Sequence, residues 1–460
     1  MSASAAAALS SVGTRSAPTA VLAQQALACE FDSLPADVVE LAKQCLLDWF
    51  AVTLAAWDDP LVRILIADTE EEGGRPLATL VGRGGKVSRL QAALVNGAAS
   101  HALDYDDVNL WMNGHPTVTI VPALLAQAEG NKVSGREIIA AFVAGYETAA
   151  RIGWLVQPSH YRDGFHATAT LGAFASAAAC ARLLRLDAGR AATAFGIAGT
   201  QAAGLKSVFG TMCKPLHAGM AARAGLAAAR WAARGFTSRG DILECPQGFA
   251  ATHSHDFNAD KALGPAPRGF HIRNNLFKYH AACYLTHAPI ECVKFLRLNH
   301  DIDPAEVQRI TLRVDGETDK VCNIQKPATG LEAKFSLKLT TAFALAGVDT
   351  AAMESYSAAN ANDPQVVQLR DKVDIQFQGG WPHTLAEMDV ELADGRHLEA
   401  RHDSGVPEDD VVRQSEKIVA KYRALATPVI GAQKAEALLA NVQRLEALDT
   451  IDALLAGAVR

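Results

Sequence analysis

This sequence predicts a mainly α-helical protein with an added α+β part: a large all-helical domain plus a smaller α+β domain. Three observations carry that expectation. From about Val21 to Arg234, apolar residues recur at intervals of three and four, the period of a helix. After Gly264 the pattern changes, and stretches such as VQRITLRVD alternate apolar and polar residues as a half-buried strand does. From about Pro407 to the C-terminus the helical period returns. The simplest division is a helical domain over 1–266 with 407–460, and an α+β domain over 267–406.

The elements follow in order. LQAALVNGAASHALDY and VTIVPALLAQAE read as two core helices flanking an acidic segment. GREIIAAFVAGYETAARIG and AGMAARAGLAAARWAARGF read as further helices, with Ala at the close helix contacts. EEGGRP, GRGGKV and MNGHPT punctuate them as turns. Beyond Gly264 a helix is expected around Ala288 to Leu298, then the strand VQRITLRVD, then EAKFSLKLTTAFALAG as one helix. KVDIQF and AEMDVELADGRHLEARHD continue the strands, with Asp394-Gly395 as a hairpin turn.

Composition bounds the function. With 49% hydrophobic and 20% charged residues over 460 positions, the chain is an ordered globular protein. A net charge of -7 and the lack of a basic stripe argue against a nucleic-acid partner, though a small pocket inside an acidic protein can still be locally positive. Apolar windows such as LGAFASAAACARLL are broken by Arg or His short of the roughly 20 residues a bilayer needs, so no membrane span is expected. MSASAAAALSSVGTRSAPTA has no basic n-region and is expected to be a frayed leader, not a signal peptide. The 8 cysteines are scattered without a CxxC, which suits a reducing cytoplasm.

The chemistry concentrates in HALDYDDVNLWMNGHPTV, where Asp104, Asp106 and Asp107 crowd between two core helices. A calcium loop starting at Asp104 needs an oxygen donor, a Gly and a Glu where Val108, Asn109 and His115 stand, so that reading fails. Carboxylates at such a junction are expected to line a cleft, orienting a His or acting as acids. GRGGKVS is a turn and not a phosphate loop, since Leu80 and Val87 occupy the required Gly and Ser/Thr positions. No G-x-S-x-G or G-x-G-x-x-G motif is present. His280, Cys283 and His287 would share one face of a helix, and zinc there is the minority reading because no partner cluster accompanies them. His253-Ser254-His255-Asp256 is taken as a polar loop. His166, Lys214 and Lys278 place basic groups at the edges of helical segments, where bare amides favour anions. On spacing alone, Lys214 and Lys278 read as ordinary surface lysines.

HALDYDD with GHP, GYE, GFHATATLGAFASAAA, KPLHAGMAARAGLAAA and KYHAACYLTH, in that order, resemble the MmgE/PrpD family. That family includes 2-methylcitrate dehydratase, cis-aconitate decarboxylase and iminodisuccinate epimerase. The resemblance implies a homodimer, each subunit with a large helical domain and a smaller α+β lid, and an active site in the cleft between them. It further implies a small di- or tricarboxylate substrate and no metal or organic cofactor. Carried over by motif, Asp104, His115, His166 and Lys214 are catalytic, and Lys278, Cys283, His287 and Tyr146 bind substrate. Compared with the decarboxylase, Cys283 replaces a His and Leu339 a Tyr, and Val108 stands where Thr is frequent. The missing donors weaken that assignment.

The implied chemistry is proton transfer at a carbon next to a carboxylate, with lysines stabilising the charge that develops. His166 is the expected base, with Asp104 orienting or protonating the opposite side and His115 as a second acid/base. The expected activity is a dehydratase-type lyase reaction on a substrate such as 2-methylcitrate. The alternatives are an iminodisuccinate-like epimerase and a cis-aconitate-type decarboxylase. A polyacid-binding helical dimer without catalysis and a metal-dependent lyase remain as competing classes.

Overall fold

The structure, a computed structural model, describes residues 17–460. The leader MSASAAAALSSVGTRSAPTA therefore lies mostly outside the described residues, and its last residues already belong to a helix. Helices α1 (Pro18–Leu27), α2 (Ala36–Ala55) and α3 (Pro60–Glu72) lead to a short hairpin, β1 (Ala78–Thr79) with β2 (Lys86–Val87), which closes the GRGGKV turn. Next come α4 (Arg89–Ala102), the two-residue strand β3 (Val108–Asn109), α5 (Thr117–Ala128) and α6 (Gly135–Val156). The one-turn α7 (Ser159–Arg162) precedes α8 (Ala167–Leu183), α9 (Ala188–Gly199) and α10 (Cys213–Ala232). The short helices α11 (Phe249–His253) and α12 (Ala259–Leu263) and the strand β4 (Asn275–Leu276) complete this part.

The core lies where α4, α5, α6, α8 and α10 meet, and α8 is buried along nearly its whole length. Its Ala and Gly content explains this: small residues let helix backbones approach where larger side chains would hold them apart. A close crossing joins α4 to α10. A Cβ on Gly97 would lie 2.8 Å from Gly219 Cα, and one on Gly219 would lie 2.2 Å from the Leu94 carbonyl oxygen. That crossing aligns the C-terminal end of α4, which leads to Asp104, with the start of α10, which carries Lys214. Gly219→Ala raises helix propensity, yet it should lower the unfolding free energy by about 1–3 kcal/mol through overpacking, as read from urea denaturation. A neutral or stabilising result would refute the tight crossing.

α6 alone among the described helices is long and apolar enough to cross a bilayer, but 89% of its apolar window is buried inside the fold. Its apolarity belongs to the core.

Downstream, α13 (His287–Asn299) precedes β5 (Val307–Asp315). The connection to the next strand carries α14 (Asp319–Cys322), α15 (Gly330–Ala333), α16 (Leu337–Ala346), α17 (Ala358–Ala361) and α18 (Pro364–Asp371). Strands β6 (Val373–Gln378), β7 (Leu385–Leu392) and β8 (His397–Asp403) join β5 in one sheet of order β6-β5-β7-β8. β5 and β6 are parallel, as a helical crossover requires, and the other pairs are antiparallel. Gly395, at φ 88°, turns the β7–β8 hairpin at the expected place. EAKFSLKLTTAFALAG departs from expectation: it is two helices, because Ser336 caps a new one with its side chain on the Leu339 amide.

α19 (Val411–Ile430), α20 (Ala432–Gln443) and α21 (Asp452–Gly457) finish the chain, α19 lying along α2. Residues 271–276, on the lid side of the sequence division, are bound to the helical part. β4 pairs with β3, the Ile272 amide donates to Glu147, and Arg273 pairs with Asp37.

Candidate active site

The site begins where α4 stops. Asp104 follows the helix end with φ 51°, a left-handed conformation that Asp and Asn tolerate better than most residues. This reversal turns Tyr105, Asp106 and Asp107 inward and leads into β3. Gly114 bridges back to Asn109, and a Cβ there would sit 2.8 Å from the Thr168 backbone nitrogen. Only glycine lets the GHP corner press against the first turn of α8, where the His115 amide donates to Thr168 Oγ1 at 3.1 Å. His166 is the N-cap residue of that same helix. The motif spacing therefore serves to bring His115 and His166 to one place.

Asp104 is the electrostatic hub. Lys214 Nζ, from the first turn of α10, lies 2.6 Å from Asp104 Oδ1, and Lys278 Nζ lies 3.1 Å from the same oxygen and 2.5 Å from the Asp104 carbonyl. Burial opposes ionisation of Asp104, but the two ammonium groups outweigh it and hold the carboxyl well below the usual carboxylate range. Burial likewise opposes the Lys214 charge, and Asp104 more than restores it. The surface-lysine reading of Lys214 and Lys278 fails here. Lys278 also leaves the helix-edge pattern, since it stands in the irregular segment after β4. With two ammonium groups holding its carboxyl in the ionised form, Asp104 fits the orienting role that the sequence reading allowed and not the protonating one.

Asp106 holds two histidines. Its carboxylate accepts from His101 Nδ1 at 2.9 Å and from His115 Nδ1 at 2.8 Å. His115 Nδ1 is also 2.8 Å from the Asp107 carbonyl, which can only accept, so Nδ1 carries the hydrogen and Nε2 is left free to take a proton. His101, Asp106 and His115 group their ligand atoms within 4.8 Å, close enough to suggest a metal. A protonated Nδ1 is no metal ligand, so this donor set fits a hydrogen-bonded chain and not a cation. Burial pushes His101 down to about 4, against the opposing pull of Asp106. Asp107 is turned away from the opening and accepts from Thr117 Oγ1 at 2.6 Å. Burial, with Asp48 adding to it, pushes Asp107 up to about 8.

His166 Nδ1 faces His217 Nδ1 at 3.0 Å, and burial, with His101 and Lys214 adding to it, holds His166 well below its ordinary value. The side chains divide into two layers. Asp104, Lys214 and His115 keep 18%, 14% and 12% exposure, whereas Lys278, Asp106 and His101 keep 2% or less. The first three form the exposed edge; Lys278 stands directly beneath it on the same Asp104 oxygen, and Asp106 and His101 orient His115 from behind.

The remaining expected residues fall differently. Tyr146 is fully buried in α6; its hydroxyl donates to Asn275 Oδ1 at 2.7 Å and accepts from Asn109 Nδ2 at 3.0 Å. With both bonds spent on tying β3 to β4, Tyr146 is a structural residue and not a substrate ligand. Cys283 borders Asp104 and Lys278, with its thiol against that of Cys322. His287 lies behind Lys278, its ring 4.8 Å from that of His280. The three do not share a helix face, because α13 only begins at His287.

Four contributors escaped the sequence reading. His101 and His217 stand inside the quoted motifs HALDYDD and KPLH, and the three-residue spacing of Lys214 and His217 on one helix was the available signal. Asp48 and Lys421 left none. Lys421 Nζ pairs with Asp48 Oδ1 at 2.6 Å and donates to the carbonyls of Tyr105 at 2.6 Å and Lys278 at 3.0 Å, tying both site loops to α2 and α19.

The chain is 27% identical to cis-aconitate decarboxylase of Aspergillus terreus over 92% of each chain. It is 28% identical to the cis-aconitate decarboxylase of Homo sapiens, covering 79% of this chain and 78% of that one. It is 27% identical to that of Mus musculus, over 79% and 77%. The MmgE/PrpD N-terminal domain matches residues 20–262 and the MmgE/PrpD C-terminal domain residues 280–447, so this chain belongs to the MmgE/PrpD family.

Proposed function

We propose that the chain is a lyase that moves a proton at a carbon next to a carboxylate of a small di- or tricarboxylate, with dehydration as the primary reaction. One observation carries this reading: the Lys214–Asp104–Lys278 clamp stands beside a histidine that Asp106 orients. The lysines hold a substrate carboxylate and stabilise the charge that spreads onto it as the C–H bond breaks. His115 Nε2 takes the proton, and Asp106 stabilises the imidazolium that forms, the arrangement of an acid–histidine pair. That imidazolium then protonates the hydroxyl leaving the adjacent carbon, so water departs and a C=C bond remains. His115 thus takes the base role that the sequence reading gave to His166.

Decarboxylation of a cis-aconitate-type substrate is the second reading, favoured by the names of the relatives. Against it, Val108, Cys283 and Leu339 offer no hydroxyl or imidazole where that reading expects them, and Leu339 is wholly buried. The protein works as a homodimer in the cytoplasm on this reading. The eight free cysteines fit a reducing compartment, and light scattering tests the dimer.

The decisive experiment incubates the purified protein with 2-methylcitrate, citrate, cis-aconitate and iminodisuccinate in deuterated water and follows them by NMR. Alkene formation, or deuterium entering next to a carboxylate, is the expected result. Release of carbon dioxide from cis-aconitate would select the second reading. No exchange with any of the four would overturn both.

A further inference from the structure

Four lysines surround the site, three of them buried and Lys214 half-buried, and three of the four have a carboxylate. Lys214 and Lys278 share Asp104, and Lys421 has Asp48. Lys334 has none. It follows the single turn α15, whose capping box between Thr329 and Glu332 fixes the turn, and the Lys334 carbonyl accepts from the Cys283 amide at 3.0 Å. The backbone of Lys334 is thus fastened to the loop that carries Lys278. Its side chain is 91% removed from solvent and reaches across to the end of α4, where Nζ meets only the Leu103 carbonyl at 3.4 Å and Met353 Sδ at 3.9 Å. Those are long contacts for an ammonium with three hydrogens to donate. The residue after Leu103 is Asp104.

An ammonium buried without a counter-ion is costly and needs a reason. Asp104 is already committed to two lysines at 2.6 and 3.1 Å, so the described residues supply no anion for a third. We propose that Lys334 is a further substrate-binding residue, whose ammonium pairs with a second carboxylate of the polyacid while Lys214 and Lys278 hold the first. This rests on the polycarboxylate reading above and adds the lid as its second anchor. A cation on each side of the site selects acids with two or more carboxylates over monocarboxylates.

The charge state of Lys334 supports this. Burial pushes it down to about 8, with Lys278 lowering it further and Asp104 and Asp59 pulling it up, while the Tyr356 ring lies 5.8 Å away. Near pH 8 the empty site holds Lys334 partly neutral, and an arriving carboxylate favours the charged form. Binding should therefore draw a proton from solution near pH 8 and much less near pH 6, where Lys334 is already charged.

Calorimetry with citrate and with propane-1,2,3-tricarboxylate, in two buffers of different ionisation enthalpy, tests this without requiring turnover. Lys334→Met should weaken both ligands roughly 10- to 100-fold, with Lys334→Arg recovering part of the loss. The proton uptake at pH 8 seen in the native protein should vanish in Lys334→Met. The melting temperature of the unliganded variant should hold or rise, because an unpaired buried charge has been removed; a fall would mark a structural role and count against the proposal. Equal affinity and equal proton uptake in Lys334→Met overturn it, as does failure of the native protein to bind either acid. The exchange experiment judges the catalytic reading separately, so a protein that exchanges deuterium yet binds unchanged in Lys334→Met loses this proposal alone.

Discussion

Asp104→Asn is expected to lower kcat/KM at least about a thousand-fold. The reason is charge and not shape. Asn is among the few residues suited to the left-handed backbone at φ 51°, so the turn after α4 survives the substitution. Lys214 and Lys278 lose the oxygen they share at 2.6 and 3.1 Å. Breaking such a pair leaves buried charge uncompensated at a cost of about 3–5 kcal/mol, and the 18% exposure of Asp104 puts this case at the lower end. Both ammonium groups then shift to other acceptors, and the clamp opens.

The pH dependence follows with a definite sign. The folded-state pKa of Asp104 lies below its unfolded value, so its ionisation stabilises the fold above the usual carboxylate range near about 4. That stability is lost as pH falls through this range towards the folded value. Asp104→Asn should therefore be less stable than the native protein at pH 7, with the difference shrinking in acid. Urea denaturation at pH 7 and at pH 3, beside steady-state rates, checks both claims. Unchanged kcat/KM in a folded Asp104→Asn protein would remove the clamp from the mechanism.

Periodicity made the fold legible because most of it is local. The apolar spacing in GREIIAAFVAGYETAARIG and the alternation in VQRITLRVD each determine an element within about one turn of its ends, as α6 and β5 show. What depended on a single side-chain bond was not legible. Ser336 capping Leu339 splits the expected 332–347 helix, and β3 with β4 is too short to leave a period at all.

The site was legible only where neighbours in sequence stay neighbours in space. HALDYDD and GHP lie within sixteen residues joined by β3, and Asp106 reaches both His101 and His115. Tyr146 was misplaced because the pattern GYE cannot show that Asn109 and Asn275 use up its hydroxyl. Asp48 and Lys421 were invisible because their partner bond spans almost the whole chain. Nor does spacing reveal charge balance. That Asp104 has two cations, and Lys334 no anion, appears only when four distant segments are brought together.

His115→Gln should lower kcat about a hundred- to ten-thousand-fold while leaving KM nearly unchanged, the loss expected when a general base is removed. Gln keeps an amide that can donate to Asp106, so the support for the GHP corner remains, but it cannot accept a proton from substrate. His166→Gln should lose less. Its Nδ1 already faces His217 at 3.0 Å, and burial keeps it a weak base, poorly matched to abstracting a proton near neutral pH. Asp106→Asn separates the roles further: it alters which nitrogen of His115 carries the hydrogen, so kcat should fall although no group facing the substrate has changed. Single-turnover deuterium exchange, with circular dichroism to confirm folding, compares the three variants at the proton-transfer step. A larger loss in His166→Gln than in His115→Gln would return the base role to His166, and Asp106 would then serve only to hold the loop.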